Sequence, residues 1–307
     1  MPTASTKKIS LLASAGLLLT SIIWGFAFVI VKNSLDLIPP IYMLAFRFTI
    51  GALGLVLIFH RKLKAINIPL LRSGAILGFF LFISYAVQTI GCKYTTAGKN
   101  AFITTIYVVL VPFLHWFINR KKPDLFCLLA AASSFAGIAL LSLDGSGGGI
   151  NIGDILTLLC GVGYAIHFVF LDRYAKLQDP VCLTLLQIAF AAIFSWICAP
   201  IMDGGFPANA FQPGIIAGML YLGLMSTMTA FLLQTVCQKY TSATTASLIL
   251  STECVFGVFF SILLLGEHMS GRMAAGCVLI LLAIVITETK PDLKRAGRKK
   301  TKQDTAA

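Results

Sequence analysis

Apolar residues gather along the chain in ten runs of membrane-spanning length, separated by short turns that carry most of the charge, glycine and proline. The runs are Leu11 to Val31, Ile41 to Phe59, Ser73 to Gly91, Ala101 to Ile118, Leu125 to Leu143, Ile155 to Leu171, Val181 to Met202, Gly214 to Cys237, Thr245 to Leu265 and Met273 to Thr287. About 20 residues of helix cross a bilayer. None of the runs alternates as a membrane strand would, so the elements they predict are helices. The expected fold class is all-α integral membrane, with ten transmembrane helices. Lys7 and Lys8 ahead of Ala13-Ser14-Ala15 imitate a signal peptide, but the apolar run continues to Val31 and reads as a retained first helix.

The pattern is written twice. Gln88-Thr-Ile-Gly-Cys-Lys-Tyr-Thr-Thr-Ala97 returns 146 residues later as Gln234-Thr-Val-Cys-Gln-Lys-Tyr-Thr-Ser-Ala243, with six of ten positions identical. Earlier helices align at an offset of about 140, where Pro40 answers Pro180. This predicts a first repeat at 9–143, a glycine-rich linker at 144–152, a second repeat at 153–289 and a basic tail at 290–307. Five helices per copy is an odd number, so the copies enter the membrane from opposite sides. Two inverted five-helix repeats, interleaved around a central site, are the expected architecture, and it points to transport.

Composition agrees: 58% hydrophobic, 12% charged and a mean hydropathy of +0.89 leave too little polar surface for a water-soluble globule. Charge then sets orientation. Of the 24 basic residues, nineteen fall on the side shared by the two termini and four, Lys32, Lys93, Lys99 and Arg272, on the other. The side rich in Lys and Arg is cytoplasmic, so both termini are expected there, in a multi-pass protein of a bacterial-type inner cell membrane. The run of seven basic residues from Lys290 to Lys302 reads as a contact for anionic membrane lipid rather than for nucleic acid.

Polar residues inside the runs are the candidate chemistry. Glu253 is the deepest acid, roughly 12 Å into its helix, and an intramembrane charge costs at least ~2.5–3.5 kcal/mol. It is read as binding a cationic group of a solute or carrying a proton, or else as a structural partner of Arg47. Arg47 either faces the cavity or snorkels to the surface. Repeat alignment pairs Trp24 with Tyr164, Arg47 with Gln187, and Asn100, Thr104 and Tyr107 with Ala246, Leu250 and Glu253, the last two sets at i, i+4, i+7 on one helix face. Asn100 and Thr104 line a cavity or bond neighbouring helices. His167 is a titrating group or a satisfied core histidine. Gln88 and Gln234, on opposite sides of the midplane, suit mirrored gates or interhelical bonds. His115, beside Trp116, reads as an interfacial residue.

Ile23-Trp-Gly-Phe26, Pro40 with Arg47, Lys93-Tyr-Thr-Thr-Ala97, Lys239-Tyr-Thr-Ser-Ala243 and Leu265-Gly-Glu267 together resemble the EamA-type domain of the drug/metabolite transporter superfamily, over nearly the whole chain. The resemblance implies a tandem of two five-helix units that exports small metabolites or drugs, commonly amino-acid-like compounds. Members usually carry Glu-Pro within helix nine. This chain has Glu253-Cys254, which leaves a proline kink there open, while Pro112 is a candidate break in helix four.

Other signals are discounted. His167 and Asp172 have an acyltransferase-like spacing but stand ~140° apart on a helix. The eight cysteines lack a Cys-x2-Cys pair, so no metal or disulfide is expected, and no nucleotide-binding motif appears. No cofactor is expected, the partners are a small-molecule solute and membrane lipid, and the oligomeric state stays open. A secondary transporter is the leading class, ahead of a lipid-carrier flippase and of an integral-membrane enzyme. A carboxy-terminal reporter should be active only in the cytoplasm; activity only outside the inner membrane would overturn the charge-based orientation.

Overall fold

In a computed structural model, the structure describes residues 4–120, 122, 123, 125–142, 151–267, 270–272, 274–276, 278, 279 and 282. Helices α1 (Ala4–Ser34), α2 (Pro40–Phe59) and α3 (Ile68–Tyr94) are followed by α4 (Ala97–Thr104), α5 (Tyr107–Asn119) and α6 (Leu125–Ser142). The second half runs through α7 (Ile152–Leu177), α8 (Pro180–Met202), α9 (Pro213–Leu220), α10 (Ala230–Gln238), α11 (Ala243–Leu250) and α12 (Glu253–Leu265). Eight helical stretches among the described residues are long and apolar enough to cross a membrane, with α4 and α5, α9 and α10, and α11 and α12 each forming one stretch. The 18-residue α6 adds the fifth predicted span. The predicted linker, most of the tenth span and the basic tail lie outside the described residues.

Local sequence explains the helix starts. Pro40, Pro180 and Pro213 each occupy a first turn, where the missing N–H is harmless. Thr96 and Ser242, which are repeat mates, cap α4 and α11 by accepting from Lys99 N and Thr245 N. Repeat symmetry persists at the far ends: Arg120 after α5 and Gly266 after α12 both adopt left-handed φ values, 56° and 66°.

The two copies interleave. Helix α3 packs on α7 and α8, α2 on α8, α1 on α12 and α10, and α4 on α12 and α7. At the face where α3 ends, Thr95 Oγ1 donates to Asp154 Oδ1 at 2.8 Å, in the first turn of α7. Helix α1, three spans from that point, starts on the opposite face; the second copy therefore starts where the first does not. The surface around this bundle is apolar, with Leu57, Phe117, Ile201 and Leu263 all strongly exposed, as a lipid-facing surface requires. On the amino-terminal face Lys62 Nζ meets Asp179 Oδ2 at 2.7 Å. Partial burial raises the Asp179 carboxyl, but Lys62 and the Cys182 and Val181 N–H groups outweigh it and hold the acid below its ordinary range.

Helices four and nine are both broken, at repeat-equivalent places. Pro112 is not the break: α4 gives way to α5 upstream of it, at Thr105 and Ile106. The second copy breaks at Ser251 and Thr252 without any proline. Hydroxyls bond back to the backbone at both. Thr105 Oγ1 donates to Phe102 O, and its mate Ser251 Oγ to Leu248 O, each at 2.7 Å. Thr252 Oγ1 adds a bond of 2.7 Å to Ile249 O. Backbone bonds tighten to three-residue spacing beside them, Thr105 N to Phe102 O and Thr252 N to Ile249 O at 3.1 Å each. Ser21 Oγ of α1 reaches the carbonyls of Ile249 and Leu250 at 3.2 and 3.4 Å, so the second break is stitched to the other half.

Helix α1 approaches α12 closely because Gly25 lacks a side chain at the crossing. A Cβ on Gly25 would sit 2.5 Å from Phe256 Cβ and 2.9 Å from Gly257 N. Gly25→Ala is expected to destabilise the protein by about 1–3 kcal/mol through overpacking. Gly214→Ala, with nothing within 4 Å of its Cβ position, should leave the unfolding temperature in detergent unchanged.

Candidate functional site

The broken helices place two side chains at the centre of the bundle. Tyr107 opens α5 and Glu253 opens α12, and they are repeat mates, 146 residues apart. Tyr107 OH donates to Glu253 Oε1 at 2.9 Å. Two equivalent residues can touch only where the line relating the two copies passes between them. Glu253 therefore lies on the junction of the halves, at the amino end of a half-helix whose dipole favours negative charge.

Around this pair lies a cavity of about 590 Å³, counting the open space at its mouth. That is room for several waters or one small solute. Its lining includes Trp24, Arg47, Gln88, Asn100, Thr104, Tyr107, Tyr164, His167, Gln234 and Glu253, so all ten sequence candidates converge on one space. Every one of them is buried, Glu253 at 4% and Arg47 at 2% exposure.

Arg47 neither snorkels nor pairs with Glu253. Its Nε donates to Thr227 Oγ1 at 3.1 Å and its Nη2 to Ser226 Oγ at 3.0 Å. The guanidinium also lies 4.5 Å from the centre of the Tyr85 ring. Among the described residues no ion pair joins it to an acid. Ser226 and Thr227 belong to a wide-turn π segment, Tyr221–Thr229, between α9 and α10. The same segment presents Ser226 O, which accepts from Trp24 Nε1 at 2.8 Å. Sequence reading missed these two residues because the wide turn has no signature in the apolar run.

Aromatic walls close the space. Trp24 packs on Phe231 with ring centres 5.1 Å apart, and Tyr164 on Tyr85 at 5.5 Å and Tyr107 at 6.5 Å. Tyr85 and Phe231 were also missed. They are repeat mates at the 146-residue offset, and a comparison of aromatic positions between the copies would have found them.

The polar stripe serves both of the roles expected of it. Thr104 Oγ1 donates to Asn100 O at 2.7 Å and accepts from Gln88 Nε2 at 3.0 Å. Asn100 Nδ2 donates to Gln88 O at 3.2 Å and to Thr157 Oγ1 at 2.7 Å. Tyr164 OH donates to Gln88 Oε1 at 2.9 Å. Gln88 thus bonds through both its oxygen and its nitrogen, whereas among the described residues Oε1 of its mate Gln234 has no partner. The two glutamines are not mirrored in their bonding.

His167 is both satisfied and cavity-lining: its Nε2 meets Gln187 Oε1 at 2.8 Å. Gln187 Nε2 donates to Thr235 Oγ1 at 3.3 Å, so its oxygen faces the ring and the network assigns the proton to His167 Nε2. Asp172 stands apart, with Lys176 Nζ at 2.7 Å and His115 Nε2 at 3.7 Å, so no dyad with His167 forms. Among the described residues no three His, Cys, Asp or Glu side chains are grouped to hold a metal.

At the face opposite the amino terminus, Lys32 Nζ donates to Cys92 O at 2.9 Å and to Thr95 O at 2.7 Å, beside the cavity wall at Val31 and Cys92. Near the amino-terminal face, Gln238 Nε2 donates to Phe168 O at 2.9 Å. Each end of the cavity thus has a side-chain bond between neighbouring helices.

A helical membrane bundle whose two repeats meet at a central cavity lined by polar and aromatic side chains suits a transporter, and the comparisons agree. The chain belongs to the EamA-like transporter family, whose profile matches residues 11–143 and again 151–289. It is 33% identical over 280 residues to an uncharacterized transporter of Archaeoglobus fulgidus, covering 91% of this chain and 87% of that protein. It is 24% identical to the uncharacterized transporter YvbV of Bacillus subtilis, covering 90% and 91%. A solved crystal structure at 17% identity shares the fold, with a TM-score of 0.68 over 93% of this chain and 97% of that one.

Replacing Ser226 by Ala and Thr227 by Val together would strand the buried guanidinium. Charged hydrogen bonds contribute about 1.5–3 kcal/mol each, so the double variant should unfold markedly earlier than Trp24→Phe, which loses one neutral bond. Equal melting temperatures would mean that Arg47 is held by other contacts.

Proposed function

We propose that this transporter exports a small, amino-acid-like or cationic solute across the cell membrane by alternating access, exchanging it for a proton at Glu253. The observation that carries this reading is the buried carboxyl of Glu253 on the junction of the two halves, bonded by Tyr107. A group on that line keeps a role in both access states, because the halves move around it. Charge in the membrane is costly and marks solute or ion pathways. Proton and ammonium would compete for one carboxyl, and such competition couples the two as an antiport.

Arg47 adds the second half of the recognition. Its named bonds use Nε and Nη2, which leaves guanidinium N–H capacity for a carboxylate. A cavity holding one acid and one base matches a zwitterion better than a simple cation, which Arg47 repels. Trp24 and Tyr164 offer aromatic faces to the solute, Trp being the better one for an ammonium group. The orientation rests on the charge bias, with both termini cytoplasmic. The flippase reading is disfavoured by the buried side chains that wall the cavity, and the enzyme reading by a family and relatives named as transporters.

Proteoliposomes with and without a pH gradient test the proposal. Glu253→Gln should fold yet lose the pH dependence of transport. Tyr107→Phe should weaken apparent affinity about five-fold, the worth of one ~1 kcal/mol hydrogen bond. Wild-type rates with an unchanged pH profile in Glu253→Gln would make Glu253 structural.

A further inference from the structure

We infer that Lys32 is the gate at one end of the cavity: its ammonium, held on two carbonyls at the end of α3, closes the cavity towards the face opposite the amino terminus, the far face. The inference goes beyond the antiport reading and uses neither its solute nor its proton.

The cavity is off-centre. Val31, Thr89, Cys92 and Asn100 line it on the side of the far face. Their repeat mates Leu171, Thr235, Gln238 and Ala246, on the amino-terminal side, do not, and all four are 0% exposed. The closure beyond the lining is therefore thin at one end and thick at the other. On α1 the exposed Asn33 comes two residues after Val31, and on α3 the exposed Lys93 directly follows Cys92. On the matching helices of the second copy the exposed Arg173 comes five residues after Phe168, and the exposed Lys239 five after Gln234.

Lys32 occupies the thin end. Half-buried between Val31 and Asn33, it donates to Cys92 O and Thr95 O at 2.9 and 2.7 Å. These carbonyls end α3, where the helix supplies no partner of its own and a cation is favoured. Among the described residues no carboxylate pairs with Lys32. Rotation of one side chain would thus break both bonds between α1 and α3, and the long stem can carry the ammonium out to water. The thick end has no such device. The mate of Lys32 is Asp172, whose charge carbonyls repel and which is engaged by Lys176 and His115. A neutral amide, Gln238 Nε2 on Phe168 O, ties the helices there.

A helix cap and a gate differ in what they hide. Loss of a cap lowers stability; loss of a gate also opens the cavity wall behind it. Cys92 reports on that wall, because it lines the cavity, is 0% exposed and carries one of the two carbonyls that Lys32 holds.

The test is the labelling rate of Cys92 in the full chain, in sealed membrane vesicles, by a cationic membrane-impermeant methanethiosulfonate applied from the far face. Signal lost in Cys92→Ser identifies the site. Lys32→Met should label about ten-fold faster than the wild type, as expected for the loss of charged hydrogen bonds. Lys32→Gln keeps two N–H donors without the charge and should fall between them, while Lys32→Arg should stay close to the wild type. Reagent applied from the amino-terminal face should show no such acceleration. An unchanged rate in Lys32→Met, or in Lys32→Gln if the Met variant does not fold, would make Lys32 a helix cap and overturn the inference, as would wild-type labelling as fast as that of Lys32→Met. Because the labelling needs no solute and no pH gradient, either result leaves the antiport reading to its own test.

Discussion

The hydrogen bond between Tyr107 and Glu253 depends on everything that brings two equivalent points of a duplicated chain into contact. It requires helices four and nine to break in register, so that each opens a new half-helix at the midplane. It also requires α1 to pack closely on α12, which the glycine at 25 permits. A carboxyl in this position has a tyrosine and a helix amino end for company, and the nearest strong cation is bound elsewhere, by Ser226, Thr227 and Tyr85. The two groups thus share one cavity without pairing with each other. A direct pair would have consumed them both.

Much of this was legible from the sequence, for definite reasons. Span positions follow from apolar length, and the duplication from a ten-residue identity. All ten candidate positions reach the cavity because polar residues in a lipid-facing chain must turn inward. Contacts that depend on backbone irregularity were not legible. Pro112 drew attention as a breaker, yet the breaks fall where Thr105, Ser251 and Thr252 bond back to carbonyls, and an isolated Ser or Thr in a helix gives no such warning. The fate of Arg47 turned on a π segment that apolar periodicity does not encode.

Duplication gave the two ends of the cavity a common ancestor and then different chemistry. Cys92 and Gln238 are repeat mates, as are Phe28 and Phe168. On one face the latch is the ammonium of Lys32 on the carbonyls of Cys92 and Thr95; on the other it is a neutral amide on Phe168 O. The position matching Lys32 holds Asp172, which is engaged by Lys176 and His115 instead. Equal architecture thus supports unequal doors.

A break made by hydroxyls differs mechanically from one made by proline. Proline wedges its ring against the preceding turn and has no N–H to restore, so its kink is permanent. A Ser or Thr bond to a carbonyl three residues back contributes about 1 kcal/mol and can be released by rotation about a single side-chain torsion. Helices four and nine are therefore jointed by catches that thermal motion can open and close, so a change of bend there need not strain the backbone elsewhere.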